Sequence, residues 1–167
     1  MNRRLFLKQT LGFVSLAAMV WALRPLSGYA AEEEKLEIVK TDAEWKQILS
    51  AEQYNVLRRR GTEAPYSSPL EKEHRAGTFS CAGCDLPLFS SDAKFESGTG
   101  WPSFTAPLPD AIRTMTDHEI MYPRTEVHCR RCGGHLGHVF DDGPPPTGKR
   151  YCMNGVALKF TPGTTGR

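Results

Sequence analysis

The stretches Cys81-Ala82-Gly83-Cys84 and Cys129-Arg130-Arg131-Cys132 decide the fold of this sequence. Each stretch places two thiols on one tight turn, and 44 residues separate the two turns. Two C-x-x-C pairs in one small domain are typical of a tetrahedral metal site, most often zinc. Four thiolate ligands leave no open coordination position, so we predict a structural zinc site that ties together two distant parts of the chain.

Three other interpretations of the two cysteine pairs stay open at this point. An exported protein can form two disulfides instead. A thioredoxin-like redox pair would need a βαβ context that the sequence lacks, and it would not explain a second pair. Iron in a rubredoxin-like site would use the same four ligands. We expect one zinc ion per chain and no organic cofactor.

The fifth cysteine, Cys152, stands apart from these pairs. Its surroundings alternate like a strand, so Arg150, Cys152 and Asn154 are predicted to share one face, with Tyr151 and Met153 on the other. A cation two residues away favours the thiolate, which is the nucleophilic form. The Asn154 amide can hold a substrate oxygen or orient a histidine. The alternative is an inert, buried cysteine that packs as a small hydrophobic residue.

Two histidines, His135 and His138, follow the second cysteine pair. Residues three apart in an unbroken strand face opposite ways, but a bulge or turn at Gly137 can aim both imidazoles at one point. Two close histidines near an unpaired cysteine favour an acid–base role. Replacement of a cysteine as zinc ligand and a surface position without any role are the alternatives.

A rigid loop runs from Ser97 to Phe104, with glycines and a proline around an aromatic pair. We interpret it as a flat apolar surface that Trp101 presents to another group. A tryptophan that belongs only to the core is the alternative.

The first thirty residues are predicted to be an export signal outside the folded domain. Asn2 to Lys8 is basic with adjacent arginines, an apolar run covers Leu11 to Leu23, and small residues near Ala30 suit a signal peptidase. The segment resembles a bacterial twin-arginine signal, which implies the periplasm. An uncleaved anchor is the alternative. The segment holds four basic and no acidic residues, so its removal changes the net charge of the chain from +2 to −2. A mature chain with a slight negative charge is not expected to bind nucleic acid.

The rest of the chain predicts one α+β domain. We divide it into a flexible start over 31–40, a domain over 41–163 and a tail over 164–167. Capping boxes at Thr41 and Ser50 predict two short helices, the second ending at Gly61. Short apolar runs then predict strands at residues 79–81, 112–115, 119–122, 125–129, 136–140, 151–153 and 156–160. Strands that follow helices argue for an antiparallel sheet, and three consecutive prolines make residues 141–148 a loop.

Taken together, five stretches resemble the peptide-methionine (R)-S-oxide reductases over about residues 43–162. They stand in the family's order: Arg60-Gly61-Thr62-Glu63, Cys81 to Cys84, Gly100-Trp101-Pro102-Ser103-Phe104, Cys129 to Phe140, and Arg150-Tyr151-Cys152-Met153-Asn154. The resemblance implies a mainly β fold of two antiparallel sheets with a distal zinc. It also implies the R epimer of methionine sulfoxide as substrate, in oxidised proteins and as a further candidate in the free amino acid.

The chemistry of sulfoxide reduction suits these residues. A thiolate must attack an electrophilic sulfur while an acid protonates the oxygen, and Cys152 would then become a sulfenic acid. The predicted roles are Cys152 as nucleophile, His138 with His135 as proton source, Asn154 near the oxygen, and Trp101 with Phe104 around the S-methyl group. By resemblance, Arg150 and Asp142 would support the nucleophile and its histidine.

One position departs from much of the family. Many members carry a second redox cysteine where this chain has Thr99. With four cysteines on a metal and one as nucleophile, no resolving thiol remains. We therefore expect an external thiol donor, either small or borne by a thioredoxin-like or glutaredoxin-like protein, and a monomeric enzyme. A zinc-stapled module that binds without turnover and a cysteine hydrolase built on Cys152 and His138 are the rival functions.

Overall fold

Two capping boxes set the start of the helical part of the chain. In each, the Thr41 or Ser50 side chain accepts a hydrogen bond from the N–H three residues on, and the acidic or amide side chain there reaches back to the cap. Helix α1 therefore begins after Thr41 and covers Asp42–Ile48, and helix α2 begins after Ser50 and covers Ala51–Arg59. Both predicted capping boxes are present.

The end of α2 differs from the prediction. Arg60, not Gly61, adopts the left-handed conformation that closes the helix, with φ at 58°. Gly61 still has a steric role, because its N–H donates to the Asn55 carbonyl and an added Cβ would lie 2.3 Å from the Asn55 side chain. The backbone therefore turns one residue earlier than glycine alone predicts.

The strands lie within residues 35–118 and 122–163, which are the residues that the computed structural model describes. They are β1 Gly77–Cys81, β2 Pro87–Ser90, β3 Lys94–Phe95, β4 Ser103–Phe104, β5 Ile112–Asp117, β6 Arg124–Cys129, β7 His135–Phe140, β8 Arg150–Met153 and β9 Leu158–Pro162. They form a three-stranded sheet in the order β2-β1-β9 and a six-stranded sheet in the order β3-β4-β8-β7-β6-β5. Every pairing is antiparallel. The predicted fold of two antiparallel sheets with short N-terminal helices is confirmed.

Some predicted strands need correction. A short 3-10 turn over Gly155–Ala157 occupies the start of the last predicted strand, which begins only at Leu158. The sequence pattern also missed β2, β3 and β4, of which two are only two residues long. Tyr122 is not in a strand, and residues 119–121 lie outside the described part of the chain.

An aromatic core joins the two sheets. Phe104 of the six-stranded sheet stacks on Phe89 with a centroid distance of 4.3 Å and meets Phe79 edge-on at 5.0 Å. Tyr151 packs on the same cluster, 6.0 Å from the Phe89 ring. Since side chains alternate along a strand, the neighbours of Tyr151 in β8 point to the opposite face of the sheet.

Residues 36–38 fall in the stretch predicted to be flexible, and they lie against the second cysteine turn. The N–H groups of Glu37 and Ile38 both donate to the Arg131 carbonyl at 3.0 Å. Within residues 35–118 and 122–163, no helix combines the length and apolar character that crossing a membrane requires. The predicted signal over 1–30 and the tail over 164–167 lie outside those residues.

Candidate active site and metal centre

The register of the six-stranded sheet places four polar side chains in one row. Ser103 of β4 is paired with Cys152 of β8, Cys152 with His138 of β7, and His138 with Glu126 of β6. Residues directly opposite each other in antiparallel strands point to the same face, with Cβ atoms about 5 Å apart. The sheet thus brings the predicted nucleophile beside a predicted acid–base histidine, on the face opposite the aromatic core.

The environment of Cys152 combines burial with polar neighbours. Its Sγ lies 3.8 Å from the Thr99 hydroxyl oxygen. Burial raises the pKa of the Cys152 thiol above its ordinary value, and hydrogen bonds from Thr99 and Ser103 and the charge of Arg150 only partly offset that effect. The cation therefore acts in the predicted direction, but it does not by itself make Cys152 a resting thiolate. A proton acceptor is needed at the site.

Arg150 is held by Asp142, the residue predicted with it to support the nucleophile and its histidine. Its Nε and Nη2 donate to the two Asp142 oxygens at 2.9 and 2.8 Å, a bidentate arrangement that fixes the guanidinium plane. The guanidinium also lies over the Phe140 ring, 4.5 Å from its centroid. The hydrogen bond from Arg150 lowers the pKa of Asp142. Asp142 thus orients Arg150, and a different carboxylate orients the histidine.

That carboxylate is Asp117, at the end of β5. His138 Nε2 lies 2.8 Å from Asp117 Oδ2, and the Asp117 residue is only 2% exposed. Burial lowers the pKa of His138, and the hydrogen bond with Asp117 offsets this only in part. His138 is therefore a neutral imidazole at neutral pH whose Nε2–H donates to Asp117, which leaves Nδ1 as the basic nitrogen. The sequence analysis missed Asp117.

The second histidine has its own buried carboxylate. His135 Nδ1 lies 2.7 Å from Glu126 Oε1. A register irregularity between β6 and β7, next to Gly137, lets residues three apart approach each other, and the rings of His135 and His138 meet edge-on at 5.4 Å. Burial opposes ionisation of Glu126, but the hydrogen bond with His135 and nearby positive charge outweigh it and lower the Glu126 pKa.

Two arginines balance the buried acids. Arg124 Nη2 lies 2.6 Å from Asp117 Oδ2. Arg60 pairs with Glu126 and lies 3.8 Å from Asp117 Oδ1. A buried carboxylate is costly without a cation, and these two guanidinium groups supply the positive charge beside both acids. Neither arginine nor Glu126 was among the predicted site residues.

Asn154 and Trp101 are both tied to the same short connection. The Asn154 amide is buried, donating to the Leu136 carbonyl at 3.0 Å and accepting from the Glu63 N–H at 2.9 Å. The Trp101 indole N–H donates to the Glu63 carbonyl at 3.2 Å, and the ring is partly exposed. Trp101 can thus present an apolar face to a ligand, whereas the Asn154 amide is engaged by the backbone.

Phe104 was predicted to bind substrate, and that prediction is wrong. The residue is fully buried at 0% exposure and stacks on Phe89 in the core between the sheets. It lies beside Ser103 in β4, so the alternation of the strand that turns Ser103 toward Cys152 turns Phe104 away.

The four remaining cysteines meet at one point, as predicted. The ligand sulfurs of Cys81, Cys84, Cys129 and Cys132 all lie within 4.8 Å of one another. The Cys81–Cys132 and Cys84–Cys129 sulfur distances are 3.8 and 3.5 Å. A disulfide needs about 2.05 Å, whereas zinc–sulfur bonds of about 2.3 Å in a tetrahedron place sulfurs about 3.8 Å apart. The group fits a tetrahedral metal, not two disulfides.

Helix α2 covers this metal centre. Leu57 packs over both turns, so closely that a Cβ added at Gly83 or Gly134 would lie 3.6 or 3.0 Å from it. The Arg58 guanidinium donates to the Cys132 carbonyl at 3.0 Å, and Arg131 donates to the Cys84 carbonyl at 3.2 Å. These contacts join the second turn to α2 and to the first turn.

Comparison with known proteins identifies the family of this chain. The SelR domain family matches residues 49–162. The chain is similar to "Peptide methionine sulfoxide reductase MsrB" of Methanosarcina barkeri, with 54% identity over 124 residues that cover 74% of this chain and 87% of that protein. This chain belongs to the MsrB family. It is also 55% identical over 129 residues to the MsrB of Pseudomonas putida, covering 75% of this chain and 96% of that protein. The MsrB of Agrobacterium fabrum is 50% identical over 127 residues, covering 75% and 94%.

Membership of the MsrB family confirms the prediction of an oxidoreductase. The matched region contains all five cysteines together with the histidines and the loop that carries Trp101. It begins within the connection between α1 and α2 and ends with the last strand. The matched region therefore contains α2, both sheets and the candidate site.

Proposed function

We propose that this MsrB family member reduces the R epimer of methionine sulfoxide, in oxidised proteins and in the free amino acid, with Cys152 as nucleophile. The observation that carries the proposal is the cross-strand row that places Cys152 directly opposite His138, whose Nε2 is held by Asp117. Among the chain's five cysteines, Cys152 is the one outside the four-thiol cluster.

The proposed reaction transfers oxygen from substrate sulfur to enzyme sulfur. Cys152 Sγ attacks the sulfoxide sulfur, the sulfur–oxygen bond of the substrate breaks, and methionine leaves with Cys152 as a sulfenic acid. Two electrons pass from the cysteine sulfur to the substrate sulfur. The thiol proton ends on the transferred oxygen, so the step needs no other reactant.

His138 is the residue that can move this proton. Burial keeps the Cys152 thiol protonated, and the neutral His138 imidazole opposite it has Nδ1 free to accept while Nε2–H stays on Asp117. The imidazolium formed is stabilised by that buried carboxylate, and it can then protonate the sulfoxide oxygen as the sulfur–oxygen bond breaks. The Arg150 guanidinium, whose plane Asp142 fixes, favours transient negative charge on the Cys152 sulfur.

Substrate orientation is assigned to Trp101. Its partly exposed ring is anchored through the indole N–H, so the aromatic face can hold an S-methyl group in one place. A fixed methyl position beside the Cys152 thiol leaves one orientation for the oxygen, and this is the basis for selecting one sulfoxide epimer.

Regeneration is assigned to an external thiol. Thr99, whose hydroxyl lies 3.8 Å from Cys152 Sγ, stands where many family members carry a second redox cysteine, and it offers no thiol to resolve the sulfenic acid. One external thiol would displace water from the sulfenic acid to form a mixed disulfide. A second thiol would then release Cys152 and leave as the oxidised disulfide. The enzyme is proposed to act as a monomer.

The metal is proposed to be one structural zinc ion per chain. Cys81, Cys84, Cys129 and Cys132 supply a soft, closed, four-sulfur set, which suits zinc and gives no position for substrate. Elemental analysis of the purified chain should find about one zinc; iron in that amount would replace zinc in the proposal, and metal-free protein with two disulfides would refute it.

Export to the bacterial periplasm by the twin-arginine route is also proposed, with cleavage near Ala30. The support is the basic start with Arg3-Arg4 and the apolar run behind it. N-terminal sequencing of the protein recovered from periplasm should begin after Ala30, and replacement of both arginines by lysine should retain the precursor in the cytoplasm. Cytoplasmic protein with an intact N-terminus would contradict this route.

The activity is tested by incubating the full chain with each epimer of methionine sulfoxide and dithiothreitol. We expect methionine from the R epimer alone, and no methionine with Cys152→Ser. Substrate binding without consumption of the reductant would identify a binding module. Thiol-independent cleavage of an ester or amide would identify a hydrolase.

A further inference from the structure

Glu63 lies in the connection between α2 and the first sheet, and its polar atoms bond to Trp101 and to the residues that follow β8. The carboxylate accepts from the N–H groups of Gly155 and Val156 at 2.6 and 2.9 Å. Its own N–H donates to the Asn154 amide oxygen at 2.9 Å, and its carbonyl accepts from the Trp101 indole at 3.2 Å. One residue thus contacts both sides of the proposed substrate site.

The Glu63 carboxylate caps the 3-10 turn that follows β8. The 3-10 turn over Gly155–Ala157 begins after Asn154, a residue type that commonly caps helices, yet Asn154 makes no side-chain cap. Its amide is engaged by Glu63 and by the Leu136 carbonyl instead. Glu63 therefore supplies, from a distant part of the chain, the acceptor that the two leading N–H groups of this turn need.

The capped turn is directly connected to the nucleophile. β8 ends at Met153, so only that residue and Asn154 separate Cys152 from the turn. The turn is also packed tightly, since a Cβ at Gly155 would lie 2.0 Å from the Ser68 hydroxyl oxygen. A shift of the turn would therefore be passed along the backbone to Cys152.

We propose that Glu63 is a positioning residue that sets the separation between Trp101 and the end of β8 that carries Cys152. The carboxylate fixes the chain after the nucleophile, and the carbonyl of the same residue fixes the indole that would hold the S-methyl group. The role of Glu63 is to keep the methyl-binding face and the attacking sulfur at the distance that one sulfoxide requires. This inference rests on the proposed function.

The test compares Glu63→Gln with Glu52→Gln in the full chain. Glutamine at position 63 has the same shape but turns an N–H₂ group toward one of the two backbone N–H groups, which breaks one contact. Glu52 of α2 lines one pocket with Glu63, Gly155 and Val156 and loses the same charge in its variant, but the N–H groups of the turn donate to Glu63 and not to Glu52. We expect Glu63→Gln to lower kcat/KM for the R epimer by about tenfold to a hundredfold, with a higher KM and a lower kcat. Glu52→Gln should match the wild type.

A double-mutant cycle with Trp101→Phe gives an independent readout. Phenylalanine removes the indole N–H that Glu63 holds, so the two substitutions should together cost less than the product of their separate effects. The folded fraction of each variant is measured by circular dichroism.

Three results would overturn the inference. The first is a Glu63→Gln variant with wild-type kcat and KM. The second is a variant whose kcat falls only in proportion to its folded fraction while KM stays unchanged, as expected of a purely structural residue. The third is a Glu63→Gln/Trp101→Phe double variant whose loss of kcat/KM equals the product of the two single losses. Wild-type protein that fails to reduce the R epimer would refute the proposed function and the inference together, whereas an active wild type with an unaffected Glu63→Gln variant refutes the inference alone.

Discussion

Replacement of Thr99 by cysteine should convert this enzyme from external to internal resolution of its sulfenic acid. The Thr99 hydroxyl oxygen lies 3.8 Å from Cys152 Sγ. A thiol in the same place must approach by a further ~1.8 Å to reach the disulfide distance of about 2.05 Å. The position lies between two glycines that both have positive φ, Gly98 at 72° and Gly100 at 92°, so formation of the disulfide requires the backbone of this loop to shift by that distance.

The size of the effect follows from the length of chain that the new bond would close. Positions 99 and 152 are 53 residues apart. In the chain-entropy treatment of cross-links, a loop of this length stabilises the folded state by about 4 kcal/mol. For a domain of this size, that corresponds to a rise in Tm of roughly 15 °C after oxidation, relative to the reduced form of the same variant.

The assay is a single turnover without reductant. Thr99→Cys should yield one methionine per enzyme and lose two titratable thiols, with a mass lower by two hydrogens and a peptide that links the two positions. Thr99→Ser, the matched control, should stop with a sulfenic acid on Cys152 like the wild type. A stable sulfenic acid in Thr99→Cys, or an unchanged Tm after oxidation, would show that the loop cannot reach the nucleophile. Position 99 would then not be a site from which a thiol resolves the Cys152 sulfenic acid.

Three further predictions concern single side chains. Asp117→Asn should lower kcat at least tenfold, because the proton acceptor loses its buried partner, and it should lower the free energy of unfolding in urea by about 3 kcal/mol; unchanged kinetics would exclude the acid–base role. Phe104→Leu should cost about 1 kcal/mol of stability and leave KM unchanged, whereas Trp101→Leu should raise KM, and the reverse pattern would restore Phe104 as a substrate contact. Arg150→Gln should move the pH dependence of Cys152 alkylation by iodoacetamide to higher pH, because burial already raises the thiol pKa and the guanidinium is one of the groups that oppose this; superimposable profiles would argue against that influence.

Local patterns in the sequence were enough to predict the metal cluster and the helix starts. A C-x-x-C pair needs only one turn to aim both thiols at a point, and a capping box needs only four residues. The predicted alternation in β8 is also present, with Cys152 and Tyr151 on different faces of the sheet. This alternation depends on neighbouring residues alone. These features are independent of how distant parts of the chain meet.

The buried acids could not be predicted in the same way. Asp117 and Glu126 lie in strands whose sequence shows no signal for a catalytic carboxylate, and 21 and nine positions separate them from their histidines. Their roles follow from strand order and register, which a single sequence does not specify. The sequence offers one local indication, which is an acidic residue at an inward-facing position of an alternating strand. That indication becomes informative only when the histidine partner of the acid is known.

Phe104 shows the opposite failure, in which proximity along the chain suggested a shared role. Trp101 and Phe104 stand three residues apart in one loop-like motif, and an aromatic pair there suggests one apolar surface. The motif instead contains the short strand β4, which assigns successive residues to opposite faces of the sheet. A two-residue strand carries too little alternation to be recognised from sequence alone.

The site therefore depends on register more than on any single residue. A slip of β8 by one position would turn Tyr151 toward His138 and bury Cys152 among the core aromatics. Gly137 opposes such a slip, because it has φ at 157° and approaches β8 so closely that a Cβ would lie 2.1 Å from the Cys152 carbonyl oxygen. Only glycine lets β7 and β8 meet at that spacing. On the other side of β7, the register irregularity with β6 brings His135 toward His138. The close approach of β7 and β8 is thus what fixes which side chain of β8 faces the histidines.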